Sequence, residues 1–177
     1  MRTIEIKAYK IHELNNTAKK TAIYENAYIN VDYNWWESTY NNMKYCSIKV
    51  ESFVLGRARK CEIEFDWDAH AVATSIIETY GDRMEIVKDA KDFIEKWDTL
   101  VKHYGEGNDK DGYAVKEEYY DEFDEDSEGI VHEFKNDLQH DILMMLENEY
   151  EYLTSESAIE ETIEANEYEF TEEGILI

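Results

Sequence analysis

Ile4, Ile6 and Ala8 alternate with Glu5 and Lys7, the two-residue period of a half-buried strand. The spacing then turns helical: Asn15 or Asn16 is placed to cap a helix carrying Ala18, Ala22 and Ile23 on one side. Asp32 is a second candidate cap, followed by Tyr33, Trp36, Tyr40 and Met43 at intervals of three and four, with Trp35 off that stripe. Ile48, Val50 and the run to Leu55, a Gly56-Arg57 turn, and Cys61, Ile63 and Phe65 alternating with acids predict an antiparallel hairpin. Asp68 then caps a helix with Ala69, Val72, Ala73, Ile76, Ile77 and Tyr80 in one stripe, and Gly81 suits a left-handed end.

Met84 to Val87 reads as a short edge strand, and Asp89 with Asp92 as an acidic capping box before a helix faced by Ala90, Phe93, Ile94, Trp97, Leu100, Val101 and Tyr104. Gly105, Gly107 and Gly112 interrupt that pattern, and a long amphipathic helix is predicted from Ile130 to about Leu153. Its Val131, Phe134, Leu138, Ile142, Met145 and Leu146 face inward, while Glu133, Asp137 and Asp141 are read as an outward row. Thr154 or Ser155 caps a last helix, Glu156 to Ala165; Tyr168 and Phe170, a Glu173-Gly174 turn and the terminal Ile175-Leu176-Ile177 suggest a closing strand. The pattern as a whole predicts an α+β fold: a small antiparallel sheet of three to five strands covered by amphipathic helices, with an acidic helical and loop lobe.

Charge divides the chain differently from hydropathy. Residues 1–103 hold 15 basic and 17 acidic side chains, and residues 104–177 hold 3 and 25, so nearly all of the net −24 lies in the second part. This predicts a near-neutral α+β core over 1–103 and an acidic lobe over 104–177 whose last strand returns to that core, one domain overall. With 43% hydrophobic residues and 14 Tyr among 177 residues, the chain has the apolar content to fold despite its charge. The opening residues lack the apolar run of a secretory signal and no stretch has the length of a membrane span, so a cytoplasmic protein, in a host cell, is expected. Direct binding to nucleic acid or to an anionic membrane is disfavoured by the charge.

No phosphate-binding GxxxxGK[ST] loop, dinucleotide GxGxxG, GxSxG elbow or HExxH helix is present, and no cofactor or enzymatic activity is expected. Cys46 and Cys61 have no metal or redox spacing and read as reduced packing residues. The five His are scattered; His132 beside Glu133 and His140 beside Asp141 read as surface positions rather than ligands. From Gly107 to Glu118, Asp109, Asp111, Gly112 and Glu118 take the third, fifth, sixth and twelfth places of an EF-hand loop. Gly107 stands where the first Asp belongs, which leaves weak Ca²⁺ binding as an alternative.

The chemistry that remains is the acidic stretch itself. Glu117, Glu118, Asp121, Glu122, Asp124, Glu125, Asp126 and Glu128 are interleaved with Tyr119, Tyr120 and Phe123, which a run kept for solubility alone does not need. With Glu133, Asp137 and Asp141, and with the Glu147, Glu149, Glu151 run, they offer a line of carboxylates to a basic groove.

In NVDYNWWESTY near the start, DAKDFIEKWD in the middle and EYEYLTSESAIEETIEANEYEFTEEG at the end, the chain resembles a group of small acidic proteins from bacteriophages and prophages. The resemblance implies a phage setting and carries no assigned activity or site residue. Together with the charge it leads to an expected function: a phage-encoded inhibitor that occupies the nucleic-acid groove of a host defence nuclease, a CRISPR effector or a restriction enzyme, as an acidic nucleic-acid mimic. The alternative is a non-enzymatic interaction or structural module that binds basic phage or host proteins.

Overall fold

The computed structural model describes residues 7–105 and 115–177, the side chain of Glu117 excepted. Its elements are α1 (Asn16–Glu25), α2 (Glu37–Tyr45), β1 (Ile48–Val54), β2 (Lys60–Phe65), α3 (Ala69–Thr79), α4 (Glu85–Tyr104), α5 (Tyr120–Leu153) and α6 (Glu156–Ala165). Among the described residues, six helices and one two-stranded antiparallel sheet make an α+β fold. No helix among the described residues is long and apolar enough to cross a membrane.

Contacts divide the chain into two compact units, residues 1–37 with 147–177 and residues 38–146, a division distinct from the charge step at His103. In the first unit, Asn15 Oδ1 accepts from the amides of Thr17 and Ala18 at 3.0 and 3.1 Å, starting α1 as its sequence requires. Ser155 Oγ does the same for α6 through Ala158 N. The two helices bury Ala22, Ile23, Ile159 and Ile163 against Ile11 and Phe170. Inside this unit Asn30 is buried with its amide satisfied: Nδ2 donates to Leu153 O at 3.0 Å and Oδ1 accepts from Thr162 Oγ1 at 2.7 Å.

Among the described residues the expected terminal strands are single bridges. Tyr9 pairs with Phe170, and Phe170 with Leu176. Residues 1–6, which carry most of the first predicted strand, lie outside the described residues. Gly174, buried at φ +87°, closes the turn between Phe170 and Leu176 and presses on α1: a Cβ there would stand 2.1 Å from Ala18 O.

In the second unit the hairpin forms as predicted, Ile48 opposite Phe65 and Val54 opposite Lys60. An irregularity between Val50 and Ser52 shifts the alternation, so the inward positions run Ile48, Val50, then Phe53. Asp68 caps α3 through Ala71 N at 3.0 Å. Phe93 of α4 stacks on Phe134 of α5 with centroids 4.4 Å apart, and both rings are buried.

Three local expectations are corrected. Met84 to Val87 is not a strand: Met84 is the cap of α4 and Asp89 and Asp92 lie within that helix, because Ile86, Val87, Ala90 and Phe93 form one continuous buried face. Among the described residues the sheet has two strands, against an expected three to five. Gly81 has no left-handed backbone; α3 ends instead with Tyr80 extended and its amide bonded to Ile76 O. The helix expected after Asp32 begins at Glu37, with Trp35 buried against Tyr150 (5.5 Å) and Tyr33 left exposed.

Candidate binding surface

The acidic stretch is helix, not loop. A single 3₁₀ turn over Glu117–Tyr119 leads into α5 at Tyr120, and the helix passes through Gly129 without a break. Three like-charged i,i+4 pairs, Asp121 with Glu125, Glu122 with Asp126 and Asp124 with Glu128, oppose this by a few tenths of a kcal/mol each. Gly129 costs a further ~1 kcal/mol. Asp121 and Glu122 in the first turn return about 0.3–1 kcal/mol each by meeting the positive end of the helix dipole. That effect fades beyond one turn and does not reach Asp124, Glu125 or Glu128.

Aromatic packing against α4 supplies the difference. Phe123 meets Trp97 edge-on at 5.9 Å and Tyr104 at 6.1 Å, and Tyr119 tilts against Tyr104 at 5.8 Å. Such pairs are worth about 0.5–1.5 kcal/mol each beyond area burial. Tyr104 also donates its hydroxyl to Asp126 Oδ2 at 2.7 Å, and Lys116 N donates to Tyr104 O at 3.2 Å. Tyr104, the last residue of α4, is thus the clasp for the first turns of α5. Phe123→Ala is expected to remove about 1–3 kcal/mol of local stability. Hydrogen exchange checks this: amides from Glu118 to Glu128 lose protection while those of α3 keep theirs, and unchanged exchange would show that the ring contacts do not hold the helix.

The clasp fixes which way the charges point. At 100° per residue, Phe123, Ser127 and Phe134 lie on the packed side, and Asp121, Glu122, Asp124, Glu125 and Glu128 spread over the opposite arc, Asp126 at its edge. Every described acid from Glu118 to Glu128 is exposed, and among the described residues no cation pairs with Asp121, Glu122, Asp124, Glu125 or Glu128. Six carboxylates follow one another over residues 121–128, about 10 Å of helix at 1.5 Å per residue, or about one charge per 2 Å. Duplex DNA carries about one per 1.7 Å. Tyr119 (38% exposed) and Tyr120 (52%) stand at the end of this ridge.

The other predicted contact residues separate. Glu133 is exposed but paired: Lys96 bridges it (3.0 Å) and Asp92 (2.8 Å), and these hydrogen bonds hold the Lys96 ammonium above its ordinary range. Asp137 is exposed. Asp141 is buried and belongs to no outward row. The reason is geometric: each i,i+4 step advances about 40° around the helix, so two steps from Glu133 carry the row into the interface. Beside the ridge an open groove of about 550 Å³ is lined by Glu95, Thr99, Leu100 and His103 of α4 and Ile130 of α5.

Among the described residues no group of three or more His, Cys, Asp or Glu is placed to hold a metal ion. His132 and His140 are exposed. Asp109 and Asp111 of the EF-hand-like spacing lie outside the described residues, and Glu118 is exposed. Both cysteines are free and buried. Burial, then the nearby Glu62 charge, pushes the Cys61 thiol up to about 11; burial also raises Cys46, against hydrogen bonds with Thr79 and Ser75 that lower it. Neither is a thiolate near neutral pH, so the folded protein is expected to resist alkylation at ~pH 7.5 and to take two labels in urea. Rapid labelling of the native chain would place a reactive thiol where the structure has packing.

Comparison with protein-family models, with curated proteins and with solved structures finds no match. The surface therefore has to be read from its own geometry.

Proposed function

We propose that this chain is a phage-encoded binding protein that inhibits a host defence nuclease, a CRISPR effector or a restriction enzyme, by laying the acidic ridge of α5 in its nucleic-acid groove. The observation that carries the reading is the axial charge density of residues 121–128 on a helix already held in shape, close to that of the duplex it replaces. A preformed rod needs little ordering when it binds, so Coulomb attraction is not spent on folding. The half-exposed Tyr119 and Tyr120 and the Leu100–Ile130 groove beside the ridge add apolar contact of the kind that gives an interface its specific centre. The phage setting is itself part of the proposal and rests on the likeness in stretches such as NVDYNWWESTY alone. Binding, not catalysis, is the proposed activity.

The test is retention of host proteins on the tagged chain at low and at high salt, with the retained proteins identified by mass spectrometry. A nuclease held at low salt and released at high salt supports the reading, because contacts between exposed charges are screened. Recovery of only phage proteins, or of proteins without a nucleic-acid-binding surface, favours an interaction module instead.

A further inference from the structure

Asp141, 8% exposed, lies on the packed side of α5 between the buried Leu138 and Ile142. Its Oδ2 is buried and finds no donor. On α4 the half-buried Asp89 carboxyl acts on it more strongly than any other charged group. With Oδ2 sealed from water and without a donor, and a second carboxyl acting on it from α4, a proton on Asp141 removes an unpaired buried charge and gives Asp89 a donor.

Most of the charge around the pair is acidic as well. From α4 come Glu85, Lys88 and Asp92, and from α5 Asp137 and His140. Lys88 is engaged by Glu85 at 2.5 Å, and His140 is exposed. Among the described residues these acids form no metal-holding group; Lys88 and His140 act on Asp141 from a distance, and a proton neutralises it in place.

We propose that Asp89 and Asp141 share one proton, carried by Asp141 and donated to Asp89, and that its loss on the alkaline side loosens the contact between α4 and α5. In that step the Asp141 O–H bond breaks, the proton passes to water and two facing carboxylates remain in a buried interface. The inference does not depend on any partner of the ridge.

Burial, followed by the Asp89 charge, pushes the Asp141 carboxyl up to about 6; burial, then Asp137, raises Asp89. An acid raised in the folded state contributes stability that is complete below its unfolded value, near 3.8, and is lost as pH rises through about 6. The folded-to-unfolded ratio therefore falls by up to about 100-fold between pH ~4 and ~7 on account of this pair.

Urea unfolding of the full chain across that range, for wild type, D141N and the exposed control D137N, tests it. The amide introduced by D141N donates to Asp89 without titrating. At pH ~7.5 D141N is expected to unfold with a constant up to about 100-fold smaller than wild type, converging with it near pH ~4, while D137N follows wild type. Parallel curves for wild type and D141N, or a D141N less stable than wild type at pH ~7.5, overturn the proposal. Should D141N not fold, infrared spectra of the wild type decide: a buried protonated-carboxyl band present at pH ~5 and gone at ~7.5 is expected, and its absence at ~5 overturns the shared proton.

Discussion

Replacing Glu122, Asp124, Glu125 and Glu128 together with Lys abolishes binding to a basic partner and leaves the chain folded. Each reversal moves the formal charge of −24 by two units and turns a steering attraction into repulsion. The loss of affinity is at least about 100-fold at low salt, equivalent to about 2.7 kcal/mol, with most of the deficit gone from the association rate. Thermal unfolding shifts by only a few degrees, ~2–4 °C, because these side chains are exposed and unpaired and two of the repulsive i,i+4 pairs become attractive. Asp126 is left in place since it accepts from Tyr104; reversing Glu122 gives up about 0.3–1 kcal/mol at the positive end of the dipole, a cost within that small shift. Full binding by the folded variant would remove the ridge as the contact surface.

Gly174→Ala is expected to be the most damaging single methyl in the first unit. The added Cβ would stand 2.1 Å from Ala18 O and 2.9 Å from its carbonyl carbon, inside any tolerable contact, and the backbone at φ +87° already disfavours a side chain. The obstruction is helix backbone and cannot rotate aside. Either the turn that joins Thr171 N to Ile175 O lifts off, or α1 moves from Ile159 and Ile163; the cost is about 3–5 kcal/mol. Urea denaturation with hydrogen exchange checks this, with amides of α1 and α6 expected to lose protection. An unchanged midpoint would mean that the turn does not press on α1.

Features set by short-range chemistry were legible in the sequence. The cap at Asp68, the hairpin around Gly56 and the limits of α6 each depend on a few adjacent residues and are found as expected, while Asn15 and Ser155 each prove to be the cap from a pair of neighbouring candidates. What failed depended on partners distant in sequence. Gly129 and the like-charged pairs argue locally for a loop up to Ile130, yet Trp97 and Tyr104 on α4 hold ten further residues of α5 in helix. The signal present was the placing of Tyr119 and Phe123 at i and i+4 among the acids. Asp141 lies four residues from Asp137 and eight from Glu133, so a shared outward face holds only without the 40° drift per step, which by the second step turns it into the interface. Gly174 was legible as a turn, but its approach to Ala18 was not, since nothing local links residue 174 to residue 18.

Mimicry makes one demand that general acidity does not: the ridge and the nucleic acid exclude each other from the same groove. The direct measurement is a titration of this chain into the captured nuclease bound to fluorescent duplex DNA, followed by anisotropy at low and raised salt. Mimicry requires complete displacement of the DNA, absent with the four-lysine variant and weakening steeply as salt rises. A stable ternary complex, with DNA still bound while this chain is saturating, would contradict it.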